Sequence, residues 1–293
     1  MMSNKLTIKQ KIQSGEFFSV PGVQDMICAV MAKSVGFDAV YASGYWLGAS
    51  AYGLPDAGIT TYTQMLDRVS TLVKTMEGTA SVIADADTGY GGLLNMRETV
   101  RGFEAAGVEV IQIEDQEFPK KCGHTRNKRV VPTDVMVRKI KVALEARCNP
   151  NTLIAARTDA RQSEGFQGAL DRMKAYAEAG ADILFPEALE SEIEMRDMCN
   201  AIDKPLMANM ADGGKTPILS AQKLADIGFA FAIFPAATSL AAAESIKQIL
   251  SHIKQTGSSY KTEVPMYDFN EFCSLIGFED VWEFERRWLE TKD

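Results

Sequence analysis

Along most of the chain, short apolar runs rich in β-branched residues alternate with longer stretches whose apolar residues recur every three or four positions. The first pattern reads as buried strands, the second as helices that pack one face on a sheet. Eight runs read as strands, at 17–20, 39–42, 81–85, 110–114, 153–157, 183–186, 206–209 and 231–235. Between them, Met96, Val100 and Phe103 form one helical stripe, and Phe166, Leu170, Met173 and Ala177 form another. Four helical stretches run into a glycine just ahead of a strand, at Gly36, Gly107, Gly180 and Gly228, where glycine can close a helix in left-handed geometry.

A recurring joint of this kind predicts parallel strands connected by crossover helices. Eight such strands without a glycine-rich dinucleotide loop fit a (β/α)8 TIM barrel better than the rival architecture, a doubly wound open sheet. The strand ends near 42 and 114 stand further from their successors than the others do. Extra chain is therefore expected in the loops after the second and fourth strands. The length of 293 residues suits a single barrel domain of about 250 residues, with residues 240–293 as a C-terminal helical extension. That extension carries Phe269, Phe272, Trp282, Phe284 and Trp288, more aromatic surface than a solvated terminus needs, and is expected to pack on something, a neighbouring subunit among the candidates.

Charge and composition narrow the function by exclusion. Lysine and arginine total 31 against 39 aspartates and glutamates, a net charge of -8, and no basic arm is present to neutralise a phosphate backbone, so nucleic acid is not an expected partner. Five cysteines without a Cys-x-x-Cys pair point away from a disulfide framework and a structural zinc, and towards a reducing cytoplasm. The polar first residues and the lack of a long apolar stretch predict a soluble cytoplasmic protein with no membrane partner.

In barrels of this kind the chemistry sits at the C-terminal ends of the strands and in the loops that follow them. Those positions are acidic here. The third run ends Asp85-Ala86-Asp87, and the two-residue period of a strand sends both carboxylates to one side. Glu114 ends the fourth run, and Asp56 lies in the loop after the second. The four acids are either solvated and ion-paired or share a cation. The apolar strands leading to them favour a hard ion, Mg²⁺ or Mn²⁺, completed by water. His124 and His252 are the only histidines and lack ligand spacing, which disfavours zinc. The loop Lys120-Lys121-Cys122-Gly123-His124 sets a thiol among cationic groups, an arrangement that favours a reactive thiolate; an ordinary loop cysteine is the plain alternative. Arg157, Glu187 and Asn209 end or follow the fifth, sixth and seventh strands, and Arg157 suits a bidentate grip on a substrate carboxylate.

The runs Tyr41-Ala42-Ser43-Gly44, Gly53-Leu54-Pro55-Asp56, Asp85-Ala86-Asp87-Thr88-Gly89, Ile113-Glu114-Asp115, Lys120-Lys121-Cys122-Gly123-His124 and Ala156-Arg157-Thr158-Asp159 together resemble the isocitrate lyase and phosphoenolpyruvate mutase superfamily. The resemblance runs in order from about residue 20 to residue 235, and the thiol loop is similar to that of the branch that cleaves carbon–carbon bonds, most of all the 2-methylisocitrate lyases. It implies a Mg²⁺-dependent barrel that holds a keto acid through the metal and the backbone of Ser43, Gly44 and Tyr45. Asp85 and Asp87 would hold the metal directly or through water, and Asp56 and Glu114 would orient its waters. Arg157, Glu187 and Asn209, with Lys121, Gly123 and His124 of the thiol loop, would line the substrate pocket.

The implied reaction is a retro-aldol cleavage of a small 2-hydroxy di- or tricarboxylate, such as 2-methylisocitrate to pyruvate and succinate. Cys122 would protonate the departing carbanion after its loop closes as a lid, and Tyr41 is the candidate to take the hydroxyl proton. The resemblance also implies a homotetramer whose subunits exchange C-terminal helices. One departure stands out: Tyr45 and Trp46 follow Ser43-Gly44 where 2-methylisocitrate lyases commonly have a second glycine. Reduced room there makes a smaller substrate credible, such as 2,3-dimethylmalate, cleaved to propionate and pyruvate. Lys215 and Thr216 offer contacts for a distal carboxylate. Oxaloacetate decarboxylation or hydrolysis is the alternative from another reaction class, and a non-enzymatic metabolite-binding barrel is the third reading.

Overall fold

The computed structural model describes residues 5–125 and 128–289. Its strands are β1 (Phe18–Val23), β2 (Ala39–Ala42), β3 (Ser81–Asp85), β4 (Val110–Glu114), β5 (Leu153–Thr158), β6 (Ile183–Pro186), β7 (Met207–Asn209) and β8 (Phe231–Phe234). All pair in parallel, in the order β6-β5-β4-β3-β2-β1-β8-β7. The remaining seam is joined by the bridge between Leu184 and Leu206, where the Leu184 amide donates to the Pro205 carbonyl at 2.9 Å. The fold is the expected (β/α)8 barrel.

Around it run α1 (Ile8–Ser14), α2 (Met26–Val35), α3 (Gly44–Tyr52), α4 (Tyr62–Met76), α5 (Leu93–Ala105), α6 (Thr133–Ala146), α7 (Arg161–Glu178), α8 (Glu192–Asn200) and α9 (Ala221–Ile227); in the chain, β8 is followed by α10 (Ala237–Thr256), α11 (Phe269–Leu275) and α12 (Phe278–Trp288). The stripe Met96, Val100, Phe103 on α5 is wholly buried, as its spacing predicts. The four helix-ending glycines all have positive φ, between 92° at Gly107 and 117° at Gly228.

Two differences from the expected layout have physical causes. Strand β1 runs on through Pro21 and Gly22 to Val23, past the expected end at residue 20. A Cβ on Gly22 would stand 2.5 Å from the Pro235 carbonyl oxygen, so the glycine is what lets β1 lie against the chain leaving β8. The surplus after β2 is largely the extra helix α3; after β4 it is the expected long loop, 115–132.

Alternation along the strands sorts the core in two. Val20, Tyr41, Ile83, Ala155, Phe185 and Met207 belong to one cluster inside the barrel, joined by Ile8 of α1. The intervening residues, such as Val40, Val82, Ile111 and Ala156, pack outward with the helices.

The chain divides into two units, Met1–Ser239 and Leu240–Asp293. The second holds most of α10 with α11 and α12, and neither of the last two helices buries a residue. Phe269, Phe284 and Trp288 are 75%, 60% and 60% exposed. Among the described residues no helix is long and apolar enough to cross a membrane.

Candidate active site at the strand ends

Continuing each inward-facing register by two residues leads from the apolar interior to the mouth. Ile83 is followed by Asp85, Gln112 by Glu114, Ala155 by Arg157, Phe185 by Glu187 and Met207 by Asn209. These polar groups are enclosed: Glu114 and Glu187 are each 1% exposed.

The acids meet beside the start of α3. A Cβ on Gly44 would lie 3.0 Å from Asp85 Oδ2 and 3.2 Å from Asp87 Oδ1, so both carboxylates press on one bare Cα. Asp87 has a left-handed φ of 49°, and its amide donates to Asp85 Oδ1 at 3.0 Å. Gln112 steadies Asp85 from below, its Nε2 donating to Asp85 Oδ1 at 3.2 Å, and accepts the Tyr41 hydroxyl at 2.7 Å. The Lys120 ammonium sits 2.5 Å from both Asp56 Oδ1 and Asp87 Oδ1. That ion pair is not aligned as a hydrogen bond at Asp87 Oδ1, and Glu114 Oε1 is buried with no hydrogen-bond partner.

Burial holds the carboxyls of Asp87 and Glu114 above the usual carboxylate range, against the pull of Lys120 on Asp87 and of Arg157 and Lys120 on Glu114. The cluster is thus short of positive charge. Among the described residues no three Asp, Glu, His or Cys side chains stand close enough to share a metal as direct ligands. An all-oxygen donor set with orphaned buried oxygens fits a hard divalent ion held largely through its own water, and it does not fit zinc.

Arg157 is placed differently from the expectation. Its fork edge is taken by Asp159, with Nε and Nη2 each donating at 2.9 Å. Glu114 Oε2 lies 3.5 Å from Nε, Glu187 Oε2 lies 3.5 Å from Nη2, and the guanidinium stacks 5.2 Å over the Phe185 ring. Three buried carboxylates share the Nε/Nη2 edge of this cation, so a two-point grip on substrate would have to use its other edge, Nη1 with Nη2.

The thiol loop is folded onto the mouth. The Cys122 amide donates to the Asp56 carbonyl at 3.2 Å. A Cβ on Gly123 would stand 2.2 Å from Arg157 Nη2 and 2.9 Å from Glu187 Cδ, so only a glycine seats there. His124 Nε2 lies 3.3 Å from Glu187 Oε1 and 3.4 Å from Asn209 Nδ2, while its Nδ1 accepts the Lys215 amide at 3.4 Å. Asn209 Nδ2 donates to Glu187 Oε2 at 3.0 Å. Thr216 is buried, and its hydroxyl has no hydrogen-bond partner among the described residues.

Two expectations for this loop need correction. Lys121 is exposed, and its neighbour Lys120 is the lysine that reaches the acids, drawn in by their uncompensated charge. The thiolate is not favoured either: burial pushes the Cys122 thiol up, because Lys120 is spent on Asp56 and Asp87 and Lys121 faces solvent.

Ser43 is the N-cap residue of α3, buried, with no capping hydrogen bond from its side chain. The first helical amide, that of Gly44, is met instead by Asp85, donating to its Oδ2 at 3.4 Å. Tyr45 is half-buried with its ring 4.6 Å from that of Trp46. The Tyr41 hydroxyl is given to Gln112, and burial lifts its pKa well above the ordinary phenol value, which weighs against its receiving a proton as phenolate. Gln112, Lys120, Lys128 and Asp159 were not singled out from the sequence. For Gln112 a signal existed, since it is a polar residue with inward parity in an otherwise apolar run.

Residues 8–254 match the family described as phosphoenolpyruvate phosphomutase. The chain is 39% identical over 287 residues to the 2,3-dimethylmalate lyase of Eubacterium barkeri, covering 98% of this chain and 99% of that protein. It is also 39% identical over 283 residues to the 2-methylisocitrate lyase of Bacillus subtilis, covering 97% and 92%. Among solved structures, the trigonal form of 2,3-dimethylmalate lyase, described as a PEP mutase/isocitrate lyase superfamily member, superposes with a TM-score of 0.90 at 31% identity, over 96% of this chain and 95% of that one. Oxaloacetate acetylhydrolase bound to 3,3-difluorooxalacetate superposes with a TM-score of 0.90 at 28% identity, over 97% of each chain. On these matches the chain belongs to the phosphoenolpyruvate mutase/isocitrate lyase superfamily and is an enzyme of its lyase branch.

Proposed function

We propose that this enzyme cleaves a small 2-hydroxy di- or tricarboxylate to pyruvate and a saturated carboxylate, with 2,3-dimethylmalate or 2-methylisocitrate as substrate. The observation that carries this reading is the seating of the Cys122 loop on the mouth, with Gly123 against Arg157 and Glu187 and His124 against Glu187 and Asn209; burial, which raises the thiol's pKa, agrees with a thiol that carries a proton. A lid that brings a proton donor to an anionic pocket is what a carbanion-releasing cleavage requires. The bulk of Tyr45 and Trp46 beside Gly44 supports the smaller substrate.

In the cleavage, the substrate hydroxyl loses its proton and its oxygen becomes the carbonyl of pyruvate. The adjacent carbon–carbon bond breaks and its electron pair stays on the carbon next to the departing carboxylate. Cys122 gives its thiol proton to that carbon. Arg157 supplies fixed positive charge, Ser43, Gly44 and Tyr45 offer hydroxyl and amide donors to the keto-acid end, and Glu187, Asn209 and His124 set the far wall. Tyr41, committed to Gln112, orients the floor, and the free Glu114 carboxylate oxygen at the rim is the group placed to receive the hydroxyl proton. Asp85 and Asp87, assisted by Asp56 and Glu114, would hold a divalent ion, Mg²⁺ or Mn²⁺, which when bound stabilises negative charge on the keto-acid oxygens as a Lewis acid. Gly123 closing on Arg157 and Glu187 excludes water from the carbanion.

A second reading, cleavage of oxaloacetate, is favoured by the close superposition on oxaloacetate acetylhydrolase. A lactate dehydrogenase-coupled assay for pyruvate across 2,3-dimethylmalate, 2-methylisocitrate, isocitrate and oxaloacetate, with remaining oxaloacetate read separately by malate dehydrogenase, decides. Pyruvate release from one of the first two is expected, and consumption of oxaloacetate alone contradicts the proposal. The exposed aromatic row of the second unit supports a homotetramer that exchanges C-terminal helices; the acidic composition supports a cytoplasmic enzyme whose partner is its carboxylate substrate, without nucleic acid or membrane.

A further inference from the structure

Lys128 closes the thiol loop and is buried, its side chain 2% exposed. Its ammonium touches two acceptors on different parts of the site: Asp159 Oδ1 at 2.8 Å and the carbonyl oxygen of Gly123. Asp159 is the residue that forks Arg157, with both contacts at 2.9 Å. Its backbone is fixed, because its amide donates to Asp115 Oδ1 at 2.9 Å, while its carboxylate is oriented by Lys128 and Arg157. Asp115 Oδ2 in turn accepts from Thr158 Oγ1 at 2.6 Å and Tyr176 at 2.7 Å. A buried ammonium is costly without its full set of acceptors, and one acceptor of Lys128 is present only when Gly123 is seated against Arg157.

We infer that Lys128 and Asp159 are positioning residues that tie the seating of the thiol loop to the orientation of Arg157. With the loop in place, the Gly123 carbonyl and Asp159 hold Lys128 between them, and Asp159 holds the guanidinium facing the pocket. With the loop away, Lys128 loses one acceptor and the fork on Arg157 loses its backing. The anchor for the substrate is then set at the moment the site closes. This rests on the functional reading only in taking Arg157 as a contact for substrate negative charge.

The test is titration calorimetry with oxalate, a two-carbon dicarboxylate shaped like the enolate of pyruvate, in excess Mg²⁺, on the wild type, Lys128→Met, Arg157→Lys and the double variant. Lys128→Met is expected to weaken oxalate about tenfold in the wild-type background and less than about twofold in Arg157→Lys, because coupled residues are not additive. In the pyruvate assay KM should rise about tenfold with kcat within about twofold, as for lost uniform binding. An equal loss in both backgrounds, a fall in kcat alone, or no oxalate binding by the wild type overturns the inference. Thermal unfolding checks each variant; if Lys128→Met does not fold, Asp159→Asn run through the same cycle reads the same coupling. A wild type that binds oxalate but releases no pyruvate refutes the functional reading and leaves the calorimetric cycle to judge the relay.

Discussion

At the scale of single residues, the protonation state of Cys122 has a consequence for pH. A thiol that acts as an acid loses activity as pH rises through its pKa, and burial sets that value above the ordinary thiol, near 8.5. The kcat profile should therefore hold to beyond about pH 8.5 before it falls, and a fall beginning near neutrality contradicts a half-buried thiol donor. Gly123→Ala tests the seat of the loop. Its Cβ would overlap Arg157 Nη2 at 2.2 Å, so pyruvate release should drop about a hundredfold while the unfolding temperature stays within a few degrees, the loop lying outside the strands and helices. Strand parity made Asp85, Glu114 and Arg157 readable as rim groups, because a period of two leaves no choice of face. Lys120 and Lys121 could not be told apart, since a loop has no period and the acids decided which lysine turned inward. Asp159 was also hidden, because nothing in the motif says that the carboxylate two residues on will fork Arg157.

At the scale of elements, two helix starts that look alike in sequence are used differently. Asp25 caps α2 by accepting the Cys28 amide at 2.8 Å, whereas the Ser43 hydroxyl makes no cap bond on α3. Asp25→Ala should cost about 1 kcal/mol in urea unfolding and leave oxalate binding intact. Ser43→Ala should cost little stability and weaken oxalate binding. Equal stability losses would mean that Ser43 serves only its helix. Helix α3 was not foreseen, because its sequence buries only Gly44, Leu47 and Gly48 and carries no continuous apolar stripe. The four glycine-ended helices were foreseen because one joint recurs with the same backbone geometry.

At the scale of the whole molecule, closure of the barrel turns on the contact of β1 with the end of β8. Gly22→Ala, with its Cβ 2.5 Å from backbone oxygen at Pro235, should destabilise the fold by about 3 kcal/mol in denaturant unfolding; a loss under about 0.5 kcal/mol would mean the seam yields. The repeating β/α pattern carried the architecture because it is local and recurs eight times. What covers the aromatic face of the second unit is a property of assembly, which one chain's periodicity does not encode.

The most direct test of the account compares pyruvate release by Cys122→Ser with that of the wild type at saturating Mg²⁺ and substrate. If the thiol protonates the departing carbon, the rate falls about 10²–10⁴-fold while oxalate still binds. Full turnover by the serine variant would contradict the account and point to a reaction in which no carbanion has to be protonated across the site.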